Sequence, residues 1–301
     1  MKVVDPHIHL WDKDQVGYPW LDNPTVAYSG DNRLLPGRYD VAGFLRDAGD
    51  VEVVMSVDVE ANPADPLAEA CWLQALAEEP SSHGHPHGIV AYADLSLPGC
   101  AQLLESLAAC RNLRGVRQIL NVHDDPRYDY VGRQYMVEPT WRENLRRLAA
   151  YGWSFDLQLY PAQVSLALEV VDANPGITFI VNHAGMFVDR QSVRGWREWR
   201  QGLRDLAARG NTALKLSGFA MFDHHWSVES FRPYVLDAID AFGVERCMFA
   251  SNFPIDRLHG SYGALWSAYR EIVTGASAAE QDALIRSNAQ HYYRLPARSP
   301  G

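Results

Sequence analysis

Asp5-Pro6-His7-Ile8-His9-Leu10-Trp11-Asp12 ends the first apolar segment of the chain and places two histidines one residue apart. In an extended strand, side chains i and i+2 point to the same side, so Asp5, His7 and His9 share one face. Two imidazoles on one face can converge on one metal ion or on one substrate oxygen, and histidine is the commonest metal ligand. The pair also arises by chance, so its meaning depends on the segments that follow.

Short apolar segments rich in β-branched residues recur along the chain and alternate with helix-like patterns. They predict strands over Val3–Leu10, Val51–Val59, Gly88–Leu95, Leu113–Leu120, Trp153–Tyr160, Ile177–Ala184, Thr212–Phe219 and Cys247–Phe253. Strands that alternate with helices form a parallel sheet, and eight such units predict a closed (β/α)8 TIM-type barrel. No repeat or linker divides the 301 residues, which predicts a single domain over residues 1–301.

The composition narrows the class of protein. A formal net charge of −10, with 47% hydrophobic and 21% charged residues, is typical of a globular domain that binds neither nucleic acid nor an anionic membrane. Four scattered cysteines form no disulfide or zinc-knuckle pattern. No apolar stretch approaches the roughly 18 residues of a membrane span, and no secretory signal is visible. We therefore expect a cytoplasmic protein whose partner is a small molecule, with a homo-oligomer left open.

A third histidine, His183, ends the predicted sixth strand within Val181-Asn182-His183-Ala184-Gly185. Catalytic residues of such barrels lie at the carboxyl ends of the strands, so His183 is expected on the same rim as His7 and His9. Three imidazoles suffice for a catalytic metal site with open positions. A purely structural role is the alternative for a single strand-end histidine.

Polar residues inside apolar strands predict substrate contacts. Arg117 lies in an otherwise apolar strand, where an unpaired charge is costly. We expect Arg117 and Lys215 to bind a carboxylate or carbonyl oxygen, since arginine is the better bidentate partner. Gln158 is expected to bind hydroxyls, and Ser217, which shares a strand face with Lys215, joins this substrate-binding set. A structural ion pair, for instance between Arg117 and Asp156, is the alternative.

Six motifs occur in a fixed order: Asp5-Pro6-His7-Ile8-His9-Leu10-Trp11-Asp12, Gly115-Val116-Arg117-Gln118-Ile119-Leu120, Phe155-Asp156-Leu157-Gln158, Val181-Asn182-His183-Ala184-Gly185, Leu214-Lys215-Leu216-Ser217-Gly218 and Met248-Phe249-Ala250-Ser251-Asn252-Phe253-Pro254. In this order they resemble the amidohydrolase superfamily, in its branch of sugar lactonases and 2-pyrone-4,6-dicarboxylate lactonases. The resemblance implies a (β/α)8 barrel that hydrolyses a cyclic ester, in several members without an obligatory metal. Where a metal is used, one divalent ion (Zn or Mn) held by His7, His9 and His183 is expected.

One position departs from the family pattern. The family ends its eighth strand with Ser-Asp-aromatic-Pro, in which the aspartate activates water, whereas this chain has Ser251-Asn252-Phe253-Pro254. An amide cannot accept the proton, so Asn252 can orient water but cannot be the general base. The candidates for moving protons are Asp256, His183, and Asp5 acting through a histidine.

These observations predict a lactonase in which water attacks the carbonyl of a sugar-acid lactone or a related carboxylated ring. A metal would polarise the carbonyl and lower the pKa of bound water toward about 7. Without a metal, the histidines would bind the carbonyl and the water directly. The alternatives are a metal-dependent decarboxylase or cyclic-amide hydrolase on the same barrel, and a non-catalytic binding barrel that has lost its acid at Asn252.

Two further histidine groups need an interpretation. His83-Gly84-His85-Pro86-His87 precedes the third strand and so belongs to the opposite rim, where we expect a solvated loop. His224-His225 follows the seventh strand on the catalytic rim, either as a surface pair or as part of a pocket wall.

Overall fold

The computed structural model of the protein describes residues 1–296 and has an eight-stranded parallel sheet at its centre. The strands are β1 (Lys2–Ile8), β2 (Glu52–Val59), β3 (Gly88–Tyr92), β4 (Leu113–Arg117), β5 (Ser154–Leu157), β6 (Phe179–Val181), β7 (Thr212–Leu216) and β8 (Cys247–Phe249). Each strand pairs with the next one along the chain, so the (β/α)8 barrel predicted from the sequence is confirmed.

The barrel closes between its first and last strands, just beyond their carboxyl ends. Ile8 forms a parallel bridge with Phe253, and the His9 amide donates to the Phe253 carbonyl oxygen at 2.8 Å. The Asn252 amide donates to the carbonyl oxygen of His7 at 2.9 Å. These backbone bonds bring the first and the eighth strand together at the rim where the sequence predicts the site.

Helices follow the strands and cover the outside of the barrel. They are α1 (Val41–Ala48), α2 (Pro66–Glu78), α3 (Cys100–Leu107), α4 (Pro139–Tyr151), α5 (Val164–Asp172), α6 (Val193–Ala207), α7 (Val228–Phe242) and α8 (Tyr262–Ile272). Asp40, Asp65 and Ser192 cap α1, α2 and α6 by accepting amide hydrogens of the first turn. Among residues 1–296, no helix combines the length and apolarity needed to cross a membrane.

The end of the chain fills the opposite end of the barrel. Helical segments Ala278–Asp282 and Asn288–Tyr292 flank a π-helical turn, Ala283–Ser287. One buried cluster is formed by side chains of the strands and of this segment: Val4, Met55, Val57, Val59, Val90, Ile180, Ala213, Met248, Ala289, Tyr293 and Leu295. Tyr293 is fully buried and, as described below, its hydroxyl reaches the site from beneath.

A hairpin in the long loop after β1 covers part of the catalytic rim. It pairs Val26–Ala27 with Gly30–Asp31. His224 and His259 each donate Nε2–H to its backbone, to the carbonyl oxygens of Tyr28 (2.8 Å) and Ser29 (2.7 Å) respectively. The two imidazoles stack with their centroids 3.9 Å apart. His224 therefore holds the backbone of Tyr28, which lines the cavity described below, whereas neither His224 nor His225 lines that cavity itself.

Most strands end two to four residues earlier than the sequence predicts, because the last predicted residues leave the hydrogen-bonded ladder and begin the loops of the rim. One prediction is wrong: the segment around His85 is not a fully solvated loop. His85 is 3% exposed, its Nδ1 lies 2.8 Å from the Ser56 hydroxyl oxygen, and its ring contacts those of Phe44 and His87.

Candidate active site

The three predicted histidines meet at the catalytic rim. His7 lies in β1, His9 immediately after it, and His183 two residues beyond the end of β6. The ring centroid of His7 is 5.0 Å from that of His9 and 4.5 Å from that of His183. His183 has a left-handed backbone, with φ of 52°, and so do the three residues that follow it. Such a conformation is uncommon for residues other than glycine, and it turns this segment sharply at the end of the strand.

Each imidazole has one nitrogen fixed by a neighbour. Nδ1 of His7 lies 3.1 Å from the Lys215 Nζ, and Nδ1 of His183 lies 3.0 Å from the Ser217 hydroxyl oxygen. Nδ1–H of His9 donates to the Val59 carbonyl oxygen at 2.6 Å. Burial, helped by nearby cations, lowers the pKa of His7 and His183 well below the usual range and that of His9 to about 3. All three rings are therefore neutral at neutral pH.

Lys215 is held beneath the histidines by a buried ion pair. Its Nζ lies 2.5 Å from Oδ1 of Asp156, and both side chains are fully buried. Asp156 also accepts hydrogen bonds from the Tyr293 hydroxyl at 2.8 Å and from the Asn182 amide at 2.9 Å. Burial lowers the pKa of Lys215 to about 8, against the opposing effect of Asp156. Lys215 thus remains mostly an ammonium at neutral pH and directs a positive charge at His7.

Arg117 is paired, but with Glu60 rather than with Asp156. Its Nε donates to Glu60 Oε1 at 2.5 Å and one terminal nitrogen donates to the Glu60 carbonyl oxygen at 2.7 Å. The other terminal nitrogen donates to Oε1 of Gln158 at 3.0 Å. Both charged side chains are almost completely buried, as a desolvated ion pair requires. The sequence left a structural ion pair of Arg117 open as an alternative to substrate binding and named Asp156 as an example, whereas the partner in the structure is Glu60.

Asn252 stands between His9 and Asp256. Its Oδ1 lies 3.3 Å from the His9 Nε2, and its Nδ2 donates to Asp256 Oδ1 at 2.8 Å. Burial raises the pKa of Asp256 to about 7 and that of Asp5 to about 6. Asp5 accepts from the Ser251 amide at 3.0 Å, so it fixes the backbone beside Asn252.

A cavity of about 190 Å³ opens over this rim. Its lining residues are His9, Trp11, Trp20, Ala27, Tyr28, Ser29, Asn32, Ala61, Asn62, Arg117, Ile119, Arg127, Tyr128, Asp129, Tyr130, Gln158, His183, Met221, Asn252 and Ile255. Of the predicted site residues, His9, His183, Arg117, Gln158 and Asn252 line it. His7, Lys215, Ser217 and Asp256 are buried against these residues and do not line the cavity, so their direct contact with a substrate stays a prediction.

Sequence reasoning missed Glu60 and Tyr293, which pair with Arg117 and Asp156. For Glu60 a signal was present: Asp58 and Glu60 alternate at the end of β2 and so share one face. For Tyr293 no signal exists, because it approaches from the end of the chain.

Glu69, on α2, is a second buried acid close to Glu60. It is 1% exposed, and its Oε1 accepts the Ala61 amide hydrogen at 3.1 Å. Burial and the charge of Glu60 raise its pKa to about 8 from an ordinary value of 4.5. Because the folded state holds this proton more tightly, its contribution to stability is complete below about pH 4.5 and is lost as the pH rises to about 8.

Glu69→Gln is therefore expected to flatten the dependence of stability on pH. Between about pH 5 and about pH 8 the unfolding free energy of the wild type should fall by roughly 1–3 kcal/mol more than that of the variant. Urea denaturation at several pH values measures both, with Glu105→Gln on the exposed side of α3 as the control. Parallel curves for wild type and Glu69→Gln would contradict the assignment.

A metal ligand must present a lone pair, and His7 does not. An ammonium group only donates, so Nδ1 of His7 accepts from Lys215 and neutral His7 carries its hydrogen on Nε2, which is buried without a partner. Within residues 1–296, no group of three or more His, Cys, Asp or Glu side chains is arranged to hold a metal ion. The three-histidine ligand set stays a prediction, which this tautomer of His7 does not support.

The barrel and its rim of buried histidines define the class of protein. The sequence pattern of the amidohydrolase family, Amidohydro_2, matches residues 4–295. The chain therefore belongs to the amidohydrolase family.

Individual relatives span the whole chain. The uncharacterized protein y4mH of Sinorhizobium fredii is 42% identical over 297 residues, which cover 97% of this chain and 98% of the relative. The L-fucono-1,5-lactonase of Burkholderia ambifaria is 26% identical over 300 residues, with 97% and 95% coverage. A zinc-bound amidohydrolase from Burkholderia multivorans superposes with a TM-score of 0.81 at 24% identity, over 98% of this chain and 100% of that one. Membership of this family and the similarity to a lactonase support an enzyme of the hydrolase class.

Proposed function

We propose that this hydrolase opens the ring of a lactone by addition of water to the ester carbonyl. The observation that carries the proposal is the cavity itself, which is lined by the neutral imidazoles of His9 and His183, the amides of Asn252 and Gln158 and the guanidinium of Arg117. Similarity to an L-fucono-1,5-lactonase over 97% of this chain supports the same chemistry. No step of this proposal depends on a metal, because His7 carries its hydrogen on Nε2 and so presents no lone pair to a metal ion.

In this proposal His183 binds the carbonyl oxygen of the lactone. If the Ser217 hydroxyl donates to Nδ1, the hydrogen of His183 sits on Nε2, which is the nitrogen left for the cavity. A donor preset at the carbonyl oxygen stabilises the negative charge that develops there when water adds. Arg117 uses three of its five N–H groups on Glu60 and Gln158, so two remain for hydroxyl oxygens of the ring.

The cavity favours an uncharged ring over a carboxylated one. Its two lining arginines are both paired, Arg117 with Glu60 and Arg127 with Asp125, so neither offers an unopposed positive charge. Five aromatic side chains form its walls: Trp11, Trp20, Tyr28, Tyr128 and Tyr130. Aromatic faces suit the C–H faces of a sugar ring, whereas a carboxylate placed there would lose its hydration without gaining a counter-ion.

We expect an aldono-1,5-lactone to be hydrolysed with a kcat/KM about tenfold or more above that of the same ring bearing a carboxylate in place of its terminal CH2OH. Acid release followed with a pH indicator measures both substrates, and spontaneous hydrolysis is subtracted. Equal values for the matched pair would contradict the assignment of an uncharged ring.

The same panel tests lactonase activity itself. Turnover of a cyclic amide without turnover of lactones would indicate a cyclic-amide hydrolase. Release of carbon dioxide from a carboxylated ring would indicate a decarboxylase. Thermal stabilisation by lactones without any turnover would indicate a binding protein, the alternative that the missing carboxylate at Asn252 leaves open.

A further inference from the structure

The tautomer of His9 is determined by its surroundings. Nδ1 lies 2.6 Å from the carbonyl oxygen of Val59, and a carbonyl oxygen only accepts, so Nδ1 carries the hydrogen. Neutral His9 therefore has its lone pair on Nε2. This is the opposite of His7, whose hydrogen is on Nε2, although the two rings are neighbours on one strand end.

The amide of Asn252 is also oriented. Nδ2 donates to Asp256 Oδ1 at 2.8 Å, which turns Oδ1 toward His9, where it lies 3.3 Å from Nε2. Asp256 is 2% exposed and belongs to the segment that follows Asn252 on the side away from the cavity lining. Its carboxylate thus decides which end of the Asn252 amide points at His9.

Two hydrogen-bond acceptors consequently face each other across 3.3 Å with no hydrogen between them. Such a pair repels unless a third group donates to both, and both side chains line the cavity. A water molecule has two hydrogens and fits this requirement with its own lone pairs still free. A metal ion would also satisfy two lone pairs, but the neighbouring His7 presents a hydrogen.

We propose that one water molecule donates a hydrogen to His9 Nε2 and the other to Asn252 Oδ1, and that this water is the nucleophile of the hydrolysis. The assignment rests on the proposed lactonase function. Because burial and nearby cations lower the pKa of His9 to about 3, His9 takes the proton only within the step and passes it on to the leaving ring oxygen. Asp256 is a positioning residue that acts through Asn252. The two tasks of the aspartate that the family has at the end of strand eight are thereby divided: His9 takes the proton and Asn252 orients the water.

The proton balance of the step is simple. The water O–H bond to His9 breaks as its oxygen bonds to the lactone carbonyl carbon, and the carbonyl electron pair moves to oxygen. When that pair returns, the ring C–O bond breaks, and the ring oxygen takes the proton from His9 Nε2. The products are one hydroxy acid and the original neutral His9, with no further reactant.

Three variants test the assignment by kinetics. Asn252 has a φ of 58°, so Asn252→Gly removes the acceptor without straining the backbone. We expect kcat to fall about 10- to 100-fold, the effect of losing one preset hydrogen bond in the transition state, with KM within about twofold. Asp256→Asn should lower kcat by about tenfold, because its amide no longer selects the orientation of Asn252.

The rescue variant is the exchange Asn252→Asp with Asp256→Asn. It restores an acceptor oxygen opposite His9, held by an amide from position 256, and should recover kcat to within a few-fold of wild type. A purely structural role of Asp256 would move thermal stability rather than kcat, and the exchange would not rescue. Unchanged kcat in Asn252→Gly, in an enzyme that otherwise hydrolyses lactones, would overturn the assignment while leaving the lactonase proposal intact.

A crystal structure of the wild type tests the water independently of any activity. We expect one density peak about 2.8 Å from both His9 Nε2 and Asn252 Oδ1, the spacing of hydrogen bonds, and its loss in Asn252→Gly. A peak about 2.1 Å from His9 Nε2, with an equimolar metal in the purified protein and loss of activity on chelation, would overturn the assignment in favour of a metal.

Discussion

Replacement of Lys215 by methionine is expected to lower the free energy of unfolding by about 3–5 kcal/mol, the largest effect on stability that we foresee. Methionine matches the length of the lysine side chain but leaves Asp156 fully buried without its cation, 2.5 Å from where the ammonium was. The remaining hydrogen bonds from Tyr293 and Asn182 do not supply a counter-charge.

Urea denaturation measures this loss, and a double-mutant cycle separates its cause. Asp156→Asn alone leaves Lys215 buried without an anion and should also destabilise the protein. The double variant Lys215→Met with Asp156→Asn should recover most of the loss, because no buried charge is left unpaired. If the losses of unfolding free energy in the two single variants add up in the double variant, packing rather than the ion pair accounts for the destabilisation.

Replacement of His183 by asparagine is expected to reduce kcat/KM for the best lactone by about 10²–10³-fold, because the shorter asparagine amide does not reach the position of Nε2 and leaves the developing oxyanion without its donor. Asparagine tolerates the left-handed backbone at this position, where φ is 52°, so the fold is retained. The loss should lie mainly in kcat, since the donor matters most in the transition state.

Ser217→Ala is the matched control for His183. It keeps the imidazole and removes only the hydroxyl 3.0 Å from Nδ1, so the second tautomer becomes available and the loss should be smaller, about tenfold. Initial rates of acid release give both values. Full activity of His183→Asn on a lactone that the wild type hydrolyses would remove His183 from the mechanism.

Much of the framework follows from the sequence because strand periodicity and alternation with helices are local properties. The carboxyl-end position of His7, His9 and His183 then follows from the barrel, since parallel strands end at one rim. The ion-pair partners of the buried cations cannot be predicted from the sequence in this way. Periodicity shows which face Arg117 occupies, but Glu60 lies on a different strand, and only the shape of the barrel brings the two together.

Periodicity in the sequence also could not predict which residues form the walls of the cavity. Tyr28, Tyr128 and Tyr130 lie in loops, where no repeating pattern exists and position depends on contacts with other loops. The sequence does show that Asn252 lacks a carboxylate and that Asp256 follows closely. Whether Asp256 would enter the cavity or stand behind the amide is decided by a tight turn at Asn252, whose φ is 58°.

The closure of the barrel between its first and last strands has a consequence for how the enzyme is made. Asp5 accepts hydrogen bonds from Ser251 and Tyr262, which follow it in the chain by 246 and 257 residues. At roughly 5–20 residues per second, β1 leaves the ribosome some tens of seconds before the strand that it will meet. The nascent chain therefore has no working site until Ser251 and Tyr262 have been synthesised, and until then one edge of β1 lacks its partner strand and can be recognised by chaperones.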